Sequence, residues 1–207
     1  MKQCERCGLR VKLRDANFCP MCGGRLFTVI PKLDVEKRIL TTLMTLMLAV
    51  MVTLFGVMEH VSVSEAKSVV ERYRGFDEFL RVGGLQYIFG NNMIICLFTF
   101  IPFFGPLDCF YALYRTGWII AALSTVSGLN PLIIYVRLWT RYIHTWLEYG
   151  AVSLALSESL ILSYYILRYG WRGLRMEARN VPLILTVCVV LLFFAATAEM
   201  VLIITGY

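Results

Sequence analysis

Residues 142–167 read YIHTWLEYGAVSLALSESLILSYYIL, a stretch long enough to cross a bilayer as a helix that nevertheless carries His144, Glu148 and Glu158. Chargeable side chains at membrane depth are costly, so each is a candidate for function. His144 and Glu148 stand four residues apart and share a helical face. Ala151, Ala155, Glu158 and Ser159 fall within about a quarter turn of that face at about 100° per residue. One side of the helix is therefore polar and small. Lipid offers carboxylates no partner, so this side belongs against other helices or a hydrated cavity.

The rest of the chain supplies those other helices. Of 207 residues, 58% are hydrophobic and 16% charged, and the mean hydropathy is +0.68, a balance that soluble domains do not show. Apolar runs occupy residues 39–58, 85–102, 142–167 and 182–207, and a fifth, 107–128, contains Asp108 and Arg115 between the punctuating Gly105-Pro106 and Asn130-Pro131. The expected fold is an all-α, multi-pass, five-helix transmembrane bundle over residues 39–207. The opening segment is charged and the first apolar run comes late, so that run reads as an uncleaved anchor. With the N-terminus inside, thirteen Lys and Arg fall in cytoplasmic segments and six outside, which predicts a plasma-membrane protein with a cytoplasmic N-terminus and an external C-terminus. The net charge of +6 follows from this bias. It favours contact with anionic lipid heads and argues against nucleic acid as a partner.

Before the first span, CERCGLRVKLRDANFCPMCGGRL places Cys4, Cys7, Cys19 and Cys22 as two C-x2-C pairs. Two such pairs suit one tetrahedral zinc, and Gly8 and Gly23 directly after each pair free the backbone to turn its amides toward the sulfurs. Two disulfides are the alternative, which a reducing cytoplasm disfavours. With four thiolates the site is closed and structural. The expected domain is a cytoplasmic zinc ribbon over residues 1–28, with strands at 11–13 and 25–27 pairing over Phe18, joined by a linker at 29–38. Cys96, Cys109 and Cys188 lie singly in the spans and read as small packing residues.

Between the first two spans, Ser62 and Glu65 make a capping box, and Val63, Ala66, Val69, Val70 and Tyr73 mark a helical stripe. An external amphipathic helix at about 62–81 follows, lying in the interface with Phe76, Phe79 and Leu80 as anchors or serving as a docking surface for an external protein. Small residues (Gly117, Ala121, Ser124; Ala151, Ala155, Ser159; Ala195, Ala196, Ala198) provide close helix contacts, with which self-association is also compatible.

At 1.5 Å per residue, Arg115 and Glu158 lie about 12 and about 13 Å from the cytoplasmic side and are expected to neutralise each other. Asn91, Glu199, Glu148 and His144 gather higher in the bilayer. That layer reads either as polar crosslinks fixing helix register, or as a proton, ion or small-ligand site, or as a catalytic group.

At these residues the chain resembles the stage II sporulation protein M family of five-span membrane proteins. Ile88-Phe89-Gly90-Asn91-Asn92 matches an Ile-Phe-x-x-Asn-like opening of the family's second span. Thr116-Gly117-Trp118-Ile119-Ile120-Ala121 approaches its Asn-Gly segment, and His144 with Glu148 matches its Pro-His-Gly-x-x-Glu segment. Ile143, Thr145 and Thr116 depart from the family's Pro, Gly and Asn. The resemblance implies a five-span bundle and the His144/Glu148 pair; the family's bacterial namesake resembles a membrane scaffold rather than a catalyst, a role that does not transfer with the motifs. H-E-x-x-H, G-x-S-x-G and P-loop patterns are lacking. The expected function is a non-enzymatic membrane scaffold whose ribbon docks a cytoplasmic protein. The alternative is a transporter or channel component with a cation or proton site at Asn91, His144, Glu148 and Glu199.

Overall fold

The computed structural model describes residues 2–12, 16–28, 30 and 33–205, with side chains at all of these except 28 and 73–83. It divides into two compact units, Met1–Asp34 and Val35–Tyr207.

The first unit is a three-stranded antiparallel sheet in the order β2-β1-β3, built from β1 (Lys2–Cys4), β2 (Arg10–Val11) and β3 (Leu26–Thr28). The expected direct pairing of the second and third strands does not occur, because β1 lies between them, with Lys2 opposite both Val11 and Thr28. The reason is the first cysteine pair. Its knuckle folds the chain back on itself, so the strand before it must pair with the strand after it. Phe18 forms an isolated bridge with Arg25, and Leu13, expected in a strand, lies outside the described residues.

The second unit comprises α1 (Val35–Val57), α2 (Val63–Thr99), α3 (Phe104–Ser127), α4 (Pro131–Arg141), α5 (Ile143–Glu177) and α6 (Val181–Thr205). α1 starts earlier than expected and takes Val35 through Arg38 out of the assigned linker. α2 opens on the predicted capping box, in which Ser62 Oγ accepts from the Glu65 amide and the Ser62 amide donates to the Glu65 carboxylate, both at 3.3 Å. Beyond Ser62 the helix runs into the second apolar segment and is broken only at Gly84 (φ 48°, ψ −136°). Its first half packs on α3, where Ala66 and Val61 bury against Ala121 and Ala122. Of the expected stripe, Ala66 is buried whereas Val63 is exposed. The side chains of Tyr73, Phe76, Phe79 and Leu80 lie outside the described residues.

α4 forms where the sequence predicts only a connection between two spans. Asn130 Oδ1 caps it by accepting from the Leu132 amide at 2.9 Å, and Pro131 occupies the first turn, where its missing N–H costs nothing. It leaves α3 at 119°. Tyr135 then buries under α1, with its hydroxyl donating to Val50 O at 2.9 Å.

α5 is the central helix, in contact with each of α1, α2, α3, α4 and α6. Its small polar side is the buried one, as expected. Ala151, Ser153, Ala155, Ser157, Glu158 and Ser159 are all inaccessible. Two of its serines hold the α2–α3 turn. Ser159 Oγ donates to Ile101 O, and Ser163 Oγ accepts from the Phe103 amide, both at 2.9 Å. Phe103 sits there at φ 68°.

α1, α5 and α6 are long and apolar enough to cross a membrane, and α3 with α4 makes a fourth such segment if the bent pair counts as one. Length and composition thus account for three or four of the five expected crossings. The remaining expected span, 85–102, falls on the second half of α2. Outward faces of α1 (Leu40, Met44, Met47, Met51, Phe55) and α6 (Leu183, Val190, Phe194, Ile204) are apolar and open. Contiguous surfaces of this kind belong in lipid.

Candidate functional site

Three groups of side chains carry chemistry. The first is the cysteine cluster. The chain turns at each C-x2-C pair in the same way. Gly8 N–H donates to Cys4 O at 3.0 Å and Gly23 N–H to Cys19 O at 2.9 Å, with Gly8 and Gly23 at φ 71° and 67°. Both glycines therefore take the left-handed conformation their positions predicted. The four sulfurs lie within 4.8 Å of one another, with Cys4 Sγ and Cys22 Sγ 3.4 Å apart and Cys7 Sγ and Cys19 Sγ 3.6 Å apart. A tetrahedral ion with bonds of about 2.3 Å needs sulfurs about 3.8 Å apart, so the cluster could hold a metal ion. Backbone amides turn toward the sulfurs as well. The Cys7 amide, aided by that of Arg6, holds the Cys4 thiol down at about 6, the direction that favours the thiolate a metal requires. Gly24, unremarked in the sequence, is the residue with no room. A Cβ there would lie 2.9 Å from Arg6 Cβ and 3.0 Å from Cys4 Sγ.

The second group lies between α2, α3 and α5. Glu148 Oε1 accepts from Asn92 Nδ2 at 2.6 Å. It is Asn92, not the expected Asn91, that enters the bundle, while Asn91 points outward. One residue of offset rotates a side chain by about 100°, which hydropathy alone does not resolve. Beside this pair, Thr53 Oγ1 and Tyr149 Oη are 2.7 Å apart. A cavity of about 100 Å³ is lined by Asn92, Thr116, Glu148 and Tyr149 together with apolar residues. Glu199 lies close to Glu148. His144 does not join them. Its ring sits 5.5 Å from that of Tyr142, and its buried Nδ1 has no partner among the described residues.

The third group corrects an expected pair. Glu158 does not meet Arg115. It accepts from Arg38 Nη1 at 2.8 Å, and the other arm of the same guanidinium bonds Glu177. Asn180 Nδ2 donates to Glu177 at 3.0 Å. Glu158 and Glu177 are 1% and 2% exposed. Arg115 stacks its guanidinium over Trp118, 4.1 Å from the ring centroid. Its neighbour Thr116 lines the cavity with Glu148, ten residues and so about 15 Å along α5 from Glu158.

Arg38 and Glu177 were missed for identifiable reasons. Arg38, next to the first apolar run, reads as one more topogenic charge. Glu177 reads as loop, because nothing but Gly170 signals that α5 breaks there (φ 61°, ψ −149°) and returns, with Gly173 against Tyr165 O. That backbone conformation is open essentially to glycine alone.

The buried Cys96, Cys109 and Cys188 pack in the bundle, Cys188 Sγ donating to Ala151 O at 3.3 Å. Compared with protein families, curated proteins and solved structures, the chain matches none.

Proposed function

We propose that this chain is a non-enzymatic integral membrane scaffold whose N-terminal zinc ribbon docks a cytoplasmic protein. The observation that carries the proposal is the ribbon itself. It is a compact unit in which four sulfurs fill every position of a tetrahedral site, leaving none for a substrate. Around that site it presents Phe18 and Met21, 61% and 79% exposed, beside the basic Arg6, Arg10 and Arg25. Thiolates at this spacing in a reducing compartment take zinc, and the bound ion stabilises a domain too small for a sufficient core.

In this proposal the bundle crosses the plasma membrane five times, by α1, the second half of α2, α3, α5 and α6, with the N-terminus inside. The hydrogen bonds that Ser159 donates to and Ser163 accepts from the α2–α3 turn support the two central crossings, because they hold that turn against α5. The resemblance of Ile88 to Asn92 and of His144 with Glu148 to the stage II sporulation protein M family is consistent with the same topology. Partners on the cytoplasmic face, and a second on the external side, complete the scaffold.

The full chain, captured from membranes in mild detergent, should carry one zinc per chain and one stoichiometric cytosolic companion. Both should be lost from a Cys19→Ser/Cys22→Ser variant that still inserts in the membrane. Less than about half an equivalent of zinc in reduced, metal-replete protein overturns the metal assignment. A companion that the variant retains, or none at all, overturns the docking role.

A second reading, transport of a cation or proton, is favoured by the cavity at Glu148 and Asn92. It predicts flux in vesicles that Glu148→Gln abolishes while the protein stays folded.

A further inference from the structure

We propose that the cleft between α1 and α6 binds a primary ammonium group carried on an apolar chain. The inference is independent of what the ribbon docks.

Both helices pack on α5 and not on each other, which leaves a cleft of about 250 Å³ floored by α5. Its walls are apolar, formed by Ile39 and Leu43 of α1, Leu154 of α5 and Ile184 of α6. Ile39 and Leu43 are more than half exposed, so the cleft opens sideways. Its polar lining is Arg38, Thr42, Ser157 and Glu158.

The lining pairs Arg38 with Glu158, but the same guanidinium also serves Glu177, which lies outside the lining, so the charges around the cleft do not balance. Arg38 supplies one positive charge to two buried carboxylates. Glu177 has a further donor in Asn180, whereas Glu158 Oε1 is buried with no hydrogen-bond partner among the described residues. An unpartnered carboxylate oxygen on a residue 99% inaccessible is a costly arrangement that a cationic donor would relieve.

The shape of the cleft selects among cations. A bare metal ion such as calcium or magnesium asks for six or more oxygens. Here Glu158 and the hydroxyls of Ser157 and Thr42 offer few, and Thr42 already gives its proton to Arg38 O at 2.9 Å, which leaves its oxygen free to accept. An ammonium group has three N–H donors for three such acceptors. The remaining volume, several times the about 30 Å³ of a water molecule, is walled by aliphatic side chains and suits a hydrocarbon chain. A free long-chain amine and the head group of an aminophospholipid both present this chemistry.

The test uses the full chain in nanodiscs of phosphatidylcholine, whose quaternary head group has no N–H to donate. Dodecylamine should raise the unfolding temperature saturably and appear as one bound molecule per chain in native mass spectrometry. Dodecanol, dodecyltrimethylammonium and sodium chloride should do neither. Glu158→Gln should weaken dodecylamine binding at least tenfold. Ile184→Trp, which fills the cleft without touching the ion pairs, should abolish it, and it decides the matter if Glu158→Gln does not fold. Replacing part of the lipid by phosphatidylethanolamine distinguishes the sources. Competition with dodecylamine assigns the site to the bilayer's aminophospholipid, and no competition assigns it to a free amine. Equal stabilisation by dodecanol, protection by sodium in place of the amine, or binding retained in Ile184→Trp overturns the proposal.

Discussion

Gly56 on α1 and Gly117 on α3 meet backbone to backbone. A Cβ on Gly56 would lie 2.2 Å from Tyr114 O, and one on Gly117 would lie 2.0 Å from Thr53 O. The two helices cannot approach this closely with any side chain between them, so Gly117→Ala must push them apart. Overpacking of this kind costs about 1–3 kcal/mol. Gly150→Ala is the control, because nothing lies within 4 Å of a Cβ there. It should be neutral or stabilising, by up to about 1 kcal/mol in a helix. Unfolding in detergent of the two variants side by side checks both directions.

Among the described residues, Arg38 is the only positive charge paired with the buried Glu158 and Glu177. Arg38→Ala should therefore destabilise by about 3–5 kcal/mol, the cost of stranding buried charges. Arg38→Lys should recover only part of this, since an ammonium lacks the guanidinium fork that reaches two carboxylates at once. Arg115→Ala, which loses a stack on Trp118, should cost no more than about 1 kcal/mol. Equal losses for Arg38→Ala and Arg115→Ala would remove Arg38 from its central place.

Asn92→Ala should destabilise by about 1–3 kcal/mol, because it strands Glu148, while Asn91→Ala on the outward face should be silent. Glu148→Gln keeps a side chain able to accept from Asn92 and should be tolerated better than Glu148→Ala. Thermal stability of the four variants, measured in one detergent, ranks them.

The start of α2 supplies a pH-dependent observable. The Ser62 hydroxyl and amide hold the Glu65 carboxyl below its ordinary range. A carboxyl lowered in the folded state stabilises above its ordinary pKa, and that contribution is lost as the pH falls through the lowered value. Hydrogen exchange at the amides of residues 63–66, corrected for intrinsic rates, should therefore accelerate as the solution is acidified through that range. Ser62→Ala should show the fast exchange at every pH.

Features set by local sequence were legible in advance. Gly8 and Gly23 had to follow the cysteine pairs, Ser62 and Glu65 had to begin a helix, and Ala151, Ala155, Glu158 and Ser159 had to face inward. Features set by one helix's depth against another were not. The α2–α3 turn is fastened to Ser159 and Ser163, and this shifts α3 so that Arg115 passes Glu158 by. Asn91 and Asn92 are equivalent in composition, and only the rotation of α2 on α5 chooses between them. Glu177 reaches Arg38 because Gly170 reverses the chain, and one glycine among Arg168, Tyr169 and Trp171 gives no warning of a reversal.

The fastening of the α2–α3 turn also sets an order of events during synthesis. Ile101 O and the Phe103 amide are partnered by serines 58 and 60 residues further along the chain. At about 5–20 residues per second the ribosome needs about 3 to 12 s to reach them. Throughout that interval the Phe103 amide has no partner within the hairpin, and Ile101 O has the Gly105 amide at 2.7 Å but not its second donor. The hairpin therefore waits, held by whatever receives nascent membrane segments, until α5 arrives to close those bonds. A chain stopped before Ser159 should leave this hairpin exposed to quality-control proteases, and a chain extended past Ser163 should protect it.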